Sequence, residues 1–489
     1  MSNLFVPRRL VRFMIASLAG ILLYAIDPLH LDNASSMLLG IALTMIVSWV
    51  TEALSMPIVA LMPLFLFPLL GIQPIGDVSK AYANPVIFLF LGGFLLGLGI
   101  EKWGLHRRIA LGIVRFTGSS GDRIVLGFIF ATAFISLWLS NTATTMMMFP
   151  IALSVIQVLK QKKELEGNIG HFSITLMLAI AYASNLGGIG TIIGTPPNVA
   201  FVGYIEKEIP GLEIGFMNWM LLCLPIGLLL ILALYWVMVK WLYPNRIRSN
   251  EMMDALIESE WRALGPLTAT QKRVLWIFVL TALLWMLRVP INQIQSWFDL
   301  DDTLIALLGG FALFLCPAHS GDTMVSDKND AHLLEWEDTH KLAWGILLLF
   351  GGGLALAGAL EEAGLIARLG LWLAQYAGAG IGLVLLVVTL SIFIGELMSN
   401  VAQVIVFAPV VTALARALDM DPLLLGIPMT LAASCAGMLP MGTPPNAIVF
   451  ASGQLRLRHM LIVGGIMNLI AIVLITLFGW FVLPMVFGK

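Results

Sequence analysis

Charged residues are scarce in this chain of 489 residues. Asp, Glu, Lys and Arg together make up only 11% of the sequence, whereas hydrophobic residues make up 59%. Soluble globular proteins have about 25% charged and about 45–50% apolar residues. The composition therefore excludes a soluble enzyme and an intrinsically disordered protein, and it predicts a polytopic helical membrane protein.

Cysteine is scarce as well, and the net charge is small. The three cysteines lie singly in apolar stretches without CxxC spacing, which excludes a disulfide scaffold and gives no sign of redox or metal chemistry. A formal net charge of −2 provides no basic field for nucleic acid. We therefore expect the lipid bilayer and small molecules as partners, and no nucleic acid.

The apolar segments predict an all-α polytopic membrane protein with about 11 transmembrane helices and two re-entrant helical hairpins. One crossing needs about 20 apolar residues. Two apolar stretches, 124–159 and 380–415, are interrupted by polar motifs, and we interpret each as a hairpin that enters and leaves on one side. Full crossings are predicted at 10–26, 35–51, 55–70, 84–100, 172–205, 217–240, 273–290, 302–317, 343–360, 423–453 and 460–487.

Basic residues predict the orientation of the chain. With a cytoplasmic N-terminus, the cytoplasmic segments contain all but six of the 27 Lys and Arg residues. The first apolar segment follows three arginines but lacks a clear cleavage site, so we interpret it as a retained helix. The short loops favour a bacterial inner membrane. We expect a multi-pass inner-membrane protein with a cytoplasmic N-terminus and an extracytoplasmic C-terminus.

The two halves of the chain contain the same motifs in the same order. Ser-Asn-Thr at 140–142 corresponds to Ser-Asn-Val at 399–401, and Gly-Thr-Pro-Pro-Asn at 194–198 recurs at 442–446. An odd number of predicted crossings separates the two Ser-Asn tips, so the two hairpins approach from opposite faces. This is the inverted-repeat arrangement of secondary transporters.

The repeat predicts a division of the chain into four parts. Each repeat contains one hairpin, one broken helix (172–205 or 423–453) and one helix lying in the membrane interface (101–117 or 361–376). The four parts are an N-terminal helix at 1–34, the first inverted repeat at 35–243, a cytoplasmic linker at 244–272 and the second inverted repeat at 273–489.

Polar motifs inside the membrane point to a site for ions. Where two helix ends meet at a hairpin tip, free carbonyl oxygens can hold a small cation, and free N–H groups can hold an anion. No Lys or Arg lies in either tip or either Thr-Pro-Pro-Asn break. An anionic substrate would therefore need neutral donors and bound cations. Glu396 is the one acid nearby, and we interpret it as a residue that braces the second hairpin.

These paired motifs resemble the divalent anion/sodium symporter family, which includes the INDY-type dicarboxylate transporters, over roughly residues 35–487. The resemblance implies a homodimer whose protomers have a scaffold domain and a transport domain that moves like an elevator. It also implies sodium-coupled uptake of C4-dicarboxylates such as succinate, malate and fumarate. Na⁺ would be the co-transported ion.

The resemblance further implies the binding residues. Those for the substrate are Ser140, Asn141, Thr142, Ser399, Asn400, Val401, Thr443 and Pro444. Those for sodium are Ser136, Ser140, Asn141 and Gly188 at a first position, and Asn400 and Gly442 at a second. The second half departs from the family pattern, because Gly395 and Met398 offer no side-chain oxygen and Val401 offers no hydroxyl. We therefore expect a weaker second cation position.

Other functions stay open at this point. Within the same family, a sodium-independent dicarboxylate exchanger or a carrier of sulfate or citrate would use the same motifs. An intramembrane enzyme is disfavoured, since the seven histidines lie near predicted helix ends or in loops and form no HExxH motif. A channel is disfavoured because broken helices and hairpins fit alternating access better than a continuous pore.

Overall fold

The fold is helical throughout the part of the chain that can be described. The computed structural model describes residues 8–28, 30–118, 120–160, 166–245, 247, 251–294, 297–319 and 331–487. Within these ranges there is no β-strand, and ten helices are long and apolar enough to cross a membrane. The predicted all-α polytopic membrane fold is confirmed. Parts of the predicted cytoplasmic segments, at 1–7, 161–165, 248–250 and 320–330, lie outside the described residues.

The helices follow one another with short connections. In the first half they are α1 (Arg8–Ile26), α2 (Asn33–Val50), α3 (Met56–Val59), α4 (Met62–Leu69), α5 (Ile75–Tyr82), α6 (Pro85–Lys102), α7 (Leu105–Thr117), α8 (Gly121–Ser136), α9 (Asn141–Lys160), α10 (Glu166–Gly188), α11 (Pro196–Glu208) and α12 (Phe216–Tyr235). In the second half they are α13 (Glu251–Ala263), α14 (Ala269–Ile294), α15 (Asp302–Leu315), α16 (Trp344–Glu362), α17 (Leu365–Ala374), α18 (Ile381–Gly395), α19 (Asn400–Ala417), α20 (Leu423–Ala433), α21 (Pro444–Phe450), α22 (Leu457–Leu477) and α23 (Leu483–Phe487). A 3₁₀ turn precedes α16 at Trp336–Lys341, and π-helical turns extend α12 and α22 at Trp236–Leu242 and Phe478–Val482.

The crossing predicted at 55–70 differs from the structure. Two short helices, α3 and α4, occupy this segment instead of one. Pro63 explains the interruption, because it has no N–H to donate to the carbonyl of Val59 and its ring would clash with that carbonyl in a continuous helix. The second helix accordingly begins next to this proline.

Both predicted hairpins consist of two helices joined by a short turn of four residues. The first is formed by α8 and α9, and the second by α18 and α19; in each, the two arms contact each other. The broken helices α10–α11 and α20–α21 also interrupt where the sequence places Thr-Pro-Pro-Asn. In both, the second arm begins at the first of two prolines, where the missing N–H costs no helical hydrogen bond.

In each half, the long apolar helix is followed by a sharp turn at a glycine with a left-handed backbone conformation. Gly104 separates α6 from α7 with φ of +66°, and Gly364 separates α16 from α17 with φ of +68°. This left-handed conformation favours glycine, since other residues meet a steric penalty there. α7 and α17 lie within the segments predicted as interface helices.

The helix α13, which lies in the segment predicted as a linker, packs against α7. Arg107 pairs with Glu260 (2.6 Å), and Arg115 pairs with Glu258 (2.9 Å). Arg108 donates to the carbonyl oxygens of Leu264 and Gly265. These half-exposed ion pairs fix the position of α13 rather than stabilise the fold strongly.

Each hairpin packs against the broken helix of the other half. α21 contacts both α9 and α10, whereas α11 contacts both α19 and α20. The tip of the first hairpin therefore lies next to the second helix break. The division of the chain into inverted repeats at 35–243 and 273–489 stays a prediction.

A close backbone approach holds α22 against the second helix break. A Cβ on Gly464 would lie 2.6 Å from the carbonyl carbon and oxygen of Gly437. The Tyr182 hydroxyl on α10 donates to the same Gly437 carbonyl (2.6 Å). The break is thus clamped between α10 and α22.

Gly464→Ala should destabilise the protein, because the added methyl meets backbone atoms that have no room to move. The expected cost is about 1–3 kcal/mol, as for other overpacked sites. Gly465→Ala is the matched control, since the nearest atom to its Cβ is the Met438 Cε at 3.8 Å. Thermal unfolding in detergent should show a lower Tm for Gly464→Ala only. Equal Tm values for the two variants would contradict this packing.

Candidate functional site

The first polar tip lies between α8 and α9. The Ser140 hydroxyl oxygen accepts a hydrogen bond from the Ala143 N–H (3.3 Å), and the Ser140 carbonyl accepts one from the Thr144 N–H (2.9 Å). The N–H groups of Asn141 and Thr142, in the first turn of α9, have no acceptor within the helix. This end of α9 therefore offers free donors and the positive end of the helix dipole to an anionic oxygen.

Oxygen atoms from three segments converge beside this tip. The Ser136 hydroxyl lies within hydrogen-bonding distance of Asn141 Oδ1 (2.8 Å) and of the Ser184 carbonyl (2.7 Å). A Cβ on Gly188 would lie 2.5 Å from Asn141 Oδ1 and 3.0 Å from the Gly194 carbonyl oxygen. The geometry brings the predicted residues Ser136, Asn141 and Gly188 together, with Ser140 directly before Asn141.

Around Gly194, the Ser136 carbonyl oxygen and Thr191 Oγ1 are two further oxygens that the sequence analysis did not predict. A Cβ on Gly194 would lie 2.5 Å from the Gly188 carbonyl oxygen, 2.9 Å from the Ser136 carbonyl oxygen and 3.0 Å from Thr191 Oγ1. The result is a concentration of carbonyl, amide and hydroxyl oxygens with no side chain filling the space between them. Hard cations prefer such oxygen donors, so this arrangement fits a sodium ion.

The last residue of each Thr-Pro-Pro-Asn motif holds its helix break in shape. Asn198 Nδ2 donates to the Thr191 carbonyl (2.8 Å) and lies near the carbonyls of Gly188 and Ile189 (3.4 and 3.3 Å). Asn446 Nδ2 donates to the Leu439 carbonyl in the same way (3.1 Å). Both asparagines are buried. They orient carbonyl groups that the break leaves without helical donors.

The second tip lies between α18 and α19. The Ser399 carbonyl accepts from the Gln403 N–H (2.9 Å), and α19 begins at Asn400. Asn400 Oδ1 is enclosed and has no hydrogen-bond partner within the described part of the chain. The half-buried Val401 packs against the hydrophobic clusters beside α19. At this tip the amide oxygens of Asn400 and Gln403 are thus side-chain acceptors that a ligand could still occupy.

Glu396 braces the second helix break. Its side chain is buried, and its carboxylate accepts hydrogen bonds from the backbone N–H groups of Gly437 (2.8 Å), Met438 (2.8 Å) and Leu439 (3.0 Å). Asn468 Nδ2 donates a fourth (2.9 Å). Three successive amides around one carboxylate form an anion-binding concavity that the protein fills with its own side chain.

The same carboxylate borders the predicted second cation position. A Cβ on Gly442 would lie 3.2 Å from Glu396 Oε2, 3.4 Å from the Leu439 carbonyl oxygen and 3.6 Å from the Gly395 carbonyl oxygen. The hydroxyl missing at Gly395 is therefore offset in part by the carboxylate of the next residue. The sequence contained a signal for this, because Glu396 is the one acid near either tip.

A side chain on α10 connects the first tip to the second helix break. Asn141 Nδ2 donates to Asn185 Oδ1 (3.3 Å), and Asn185 Nδ2 donates to Thr443 Oγ1 (3.1 Å). Sequence reasoning missed Asn185, since a lone asparagine within a long apolar helix has no motif to mark it. The predicted residues Asn141 and Thr443 are brought into one hydrogen-bonded chain, with Pro444 next to it at the start of α21.

Comparison with known proteins gives matches over nearly the whole chain. Residues 8–487 match the family described as the sodium:sulfate symporter transmembrane region. A Staphylococcus saprophyticus protein named sodium-dependent dicarboxylate transporter SdcS is 37% identical over 470 residues, which are 94% of this chain and 89% of that protein. A Staphylococcus aureus protein of the same name is 37% identical over 456 residues, or 92% of this chain and 86% of that protein.

A solved structure shows a similar fold. The crystal structure of the Alcanivorax borkumensis YdaH transporter matches with a TM-score of 0.53 at 15% sequence identity. The match covers 82% of this chain and 86% of that one. At this identity the likeness concerns the helical architecture alone.

Gly188→Ala should disrupt the oxygen cluster at the first tip, because the added methyl would overlap Asn141 Oδ1. We expect the affinity for sodium to fall by about 10- to 100-fold, as for other changes that displace metal ligands. Gly170→Ala in the same helix is the matched control, since no atom lies within 4 Å of its Cβ. Sodium titration of purified protein measures both. Unchanged sodium affinity in Gly188→Ala would contradict the first cation position.

Proposed function

The chain belongs to the sodium:sulfate symporter transmembrane family, and we propose that it is a sodium-coupled symporter of small dianions, with C4-dicarboxylates such as succinate, malate and fumarate as its substrates. The predicted membership of the divalent anion/sodium symporter family is confirmed by the match over residues 8–487. The names of the two staphylococcal relatives support Na⁺ as the co-transported ion. Because the relatives are transporters, we propose no enzymatic activity.

This proposal rests on Asn141, which can contribute to the binding of both a cation and an anion. Its amide oxygen belongs to the oxygen cluster with Gly188 and the Ser136 hydroxyl, which suits a cation. Its backbone N–H begins α9 and, with that of Thr142, suits a carboxylate. A cation and an anionic group can thus bind side by side at one tip, and each stabilises the other.

Charge explains why transport should need sodium. A dicarboxylate carries two negative charges, and moving unpaired charges out of water is costly. In the described part of the chain, no Lys or Arg contributes a hydrogen bond or ion pair at either tip. Bound sodium ions at the first position, and at the second beside Gly442, would supply the missing positive charge.

We propose that the two hairpins and the two broken helices, together with α12 and α22, which are hydrogen-bonded to them, form the unit that moves, as an elevator, against the remaining helices. The contact between α11 and α6 supports this, because Gly203 lies against Val86 without a hydrogen bond between them. Gly353 of α16 likewise lies against Ile405 of α19. Smooth apolar contacts of this kind can slide. The predicted homodimer and the orientation of the termini in an inner membrane belong to the same proposal.

A sodium-independent exchanger is the second candidate, and the second tip favours it. Gly395 and Met398 offer no side-chain oxygen there, so the second cation position depends on Asn400, carbonyl groups and Glu396. An exchanger would return only with a bound anion and would need no gradient of sodium. A sulfate or citrate carrier would share the first tip and differ in the space between the tips.

Uptake of radiolabelled succinate into proteoliposomes tests the proposal. We expect saturable uptake that needs an inward sodium gradient, with a Hill coefficient for sodium of about two or below because the second position is weak. Asn141→Ala and Asn400→Ala should each abolish it in folded protein. Uptake driven only by internal succinate, with no effect of sodium, would favour the exchanger. A much steeper sodium dependence would show that the missing hydroxyls do not matter.

The inverted orientation of the hairpins predicts opposite labelling at their two entrances. Cysteine in place of Ser120, before α8, should react only from the cytoplasmic side, and cysteine in place of Ala379, before α18, only from outside. The background needs its three cysteines replaced, of which Cys223 and Cys435 are buried and Cys316 is partly exposed. Impermeant maleimide on oriented cells measures the reaction. Labelling of both positions from one side would contradict the inverted repeat.

A further inference from the structure

A one-way chain of hydrogen bonds joins the first tip to the second helix break. Asn141 donates to Asn185 over 3.3 Å, and Asn185 donates to Thr443 over 3.1 Å. Thr443 Oγ1 also accepts from the Asn446 N–H (3.4 Å). The Thr443 hydroxyl donates to no protein atom in the described part of the chain. Its proton is therefore left for another acceptor.

The two ends of this chain face opposite kinds of ligand. At the start, Asn141 Oδ1 lies in the oxygen cluster that suits a cation. At the end, the Thr443 hydroxyl is a donor that suits a carboxylate. Every link points the same way, so a cation that draws electron density from the Asn141 amide makes that amide a stronger donor. The effect passes through Asn185 to Thr443, because hydrogen bonds in series polarise one another.

Burial increases the effect of this chain. Asn185 is 3% exposed and Thr443 is 5% exposed, so water does not compete for either link. Low local polarity strengthens the electrostatic part of a hydrogen bond. Asn185 also lies on a rigid segment, because the neighbouring Ser184 carbonyl accepts from the first tip and Gly188 borders the cation position.

We propose that Asn185 is a positioning residue that couples cation binding at the first tip to anion binding at Thr443. The proposal rests on the sodium-coupled function given above. A cation on Asn141 Oδ1 would hold the Thr443 hydroxyl as a donor towards a substrate carboxylate. By thermodynamic reciprocity, a carboxylate on Thr443 raises the affinity for the cation by the same factor. Asn185 touches neither ligand and acts through the two residues that do.

Asn185→Leu removes both links while keeping a side chain of similar size. The measurement is the succinate Kd of purified protein without sodium and at saturating sodium, together with the sodium Kd without succinate. We expect the ratio of the two succinate Kd values to fall by about tenfold, within the usual range of coupling between sites. The sodium Kd without succinate should change by less than about threefold, because Asn185 is no cation ligand.

Thr175→Val is the matched control. Thr175 lies on the same helix and is buried, but its hydroxyl donates only to the His171 carbonyl of that helix (2.7 Å). It should keep the coupling ratio of the unmodified protein. If Asn185→Leu does not fold, substitutions of Thr443, at the other end of the chain of hydrogen bonds, test the proposal instead. In Thr443→Val the ratio of the two succinate Kd values should fall as in Asn185→Leu. In Thr443→Ser, which retains the hydroxyl, the ratio should stay that of the unmodified protein.

The outcomes separate the two proposals. A ratio unchanged in Asn185→Leu or in Thr443→Val would overturn the role of Asn185 while leaving sodium coupling intact. An equal loss of sodium affinity with and without succinate would also overturn it, since that result shows only a structural role. If the succinate Kd of the unmodified protein did not change with sodium, that result would contradict both the coupling role and the proposed function.

Discussion

Backbone N–H and carbonyl groups inside a membrane need hydrogen-bond partners, and the structure depends on the places where helix interruptions leave these groups without one. Four helix interruptions, at the two tips and the two breaks, expose carbonyl and N–H groups that a continuous helix would satisfy. Side chains from other segments form hydrogen bonds with some of these groups. Asn198 and Asn446 donate to carbonyls of the breaks, and Glu396 accepts from three amides. The groups that stay free are those that can bind ions.

The oxygen atoms that surround the two predicted cation positions belong to different chemical groups. Around Gly194 the oxygens come from carbonyls and the Thr191 hydroxyl, whereas around Gly442 a carboxylate takes part. A hydroxyl is neutral and a carboxylate brings a charge, so the two positions should differ in affinity and in selectivity among cations. The repeated motifs thus differ in function, and Glu396 contributes to this difference together with Gly395, Met398 and Val401.

The sequence was sufficient for the arrangement of the helices but not for the contacts between them. Prolines, glycines and the repeated motifs mark the tips and breaks, because local chemistry alone requires an interruption there. Pro63 was such a signal too, although a continuous apolar run concealed it. Asn185 and Thr191 carry no local mark, and Asn198 is marked only as the last residue of its motif. Their roles depend on partners brought near by the packing of α9, α10 and α21, which no pattern of apolar residues specifies.

The crosswise packing of each hairpin on the other half's broken helix has a consequence for biosynthesis. Asn185 and Thr443 are 258 positions apart, so Asn185 on α10 is synthesised long before its acceptor in the second break. Until then the Asn185 amide lacks this acceptor, whereas Ser136 and Asn141 have their partners on α10 of the same half. The connection between the two halves can therefore form only after most of the chain has been synthesised. A chain that stops after the linker would contain a tip and a break but no finished binding site.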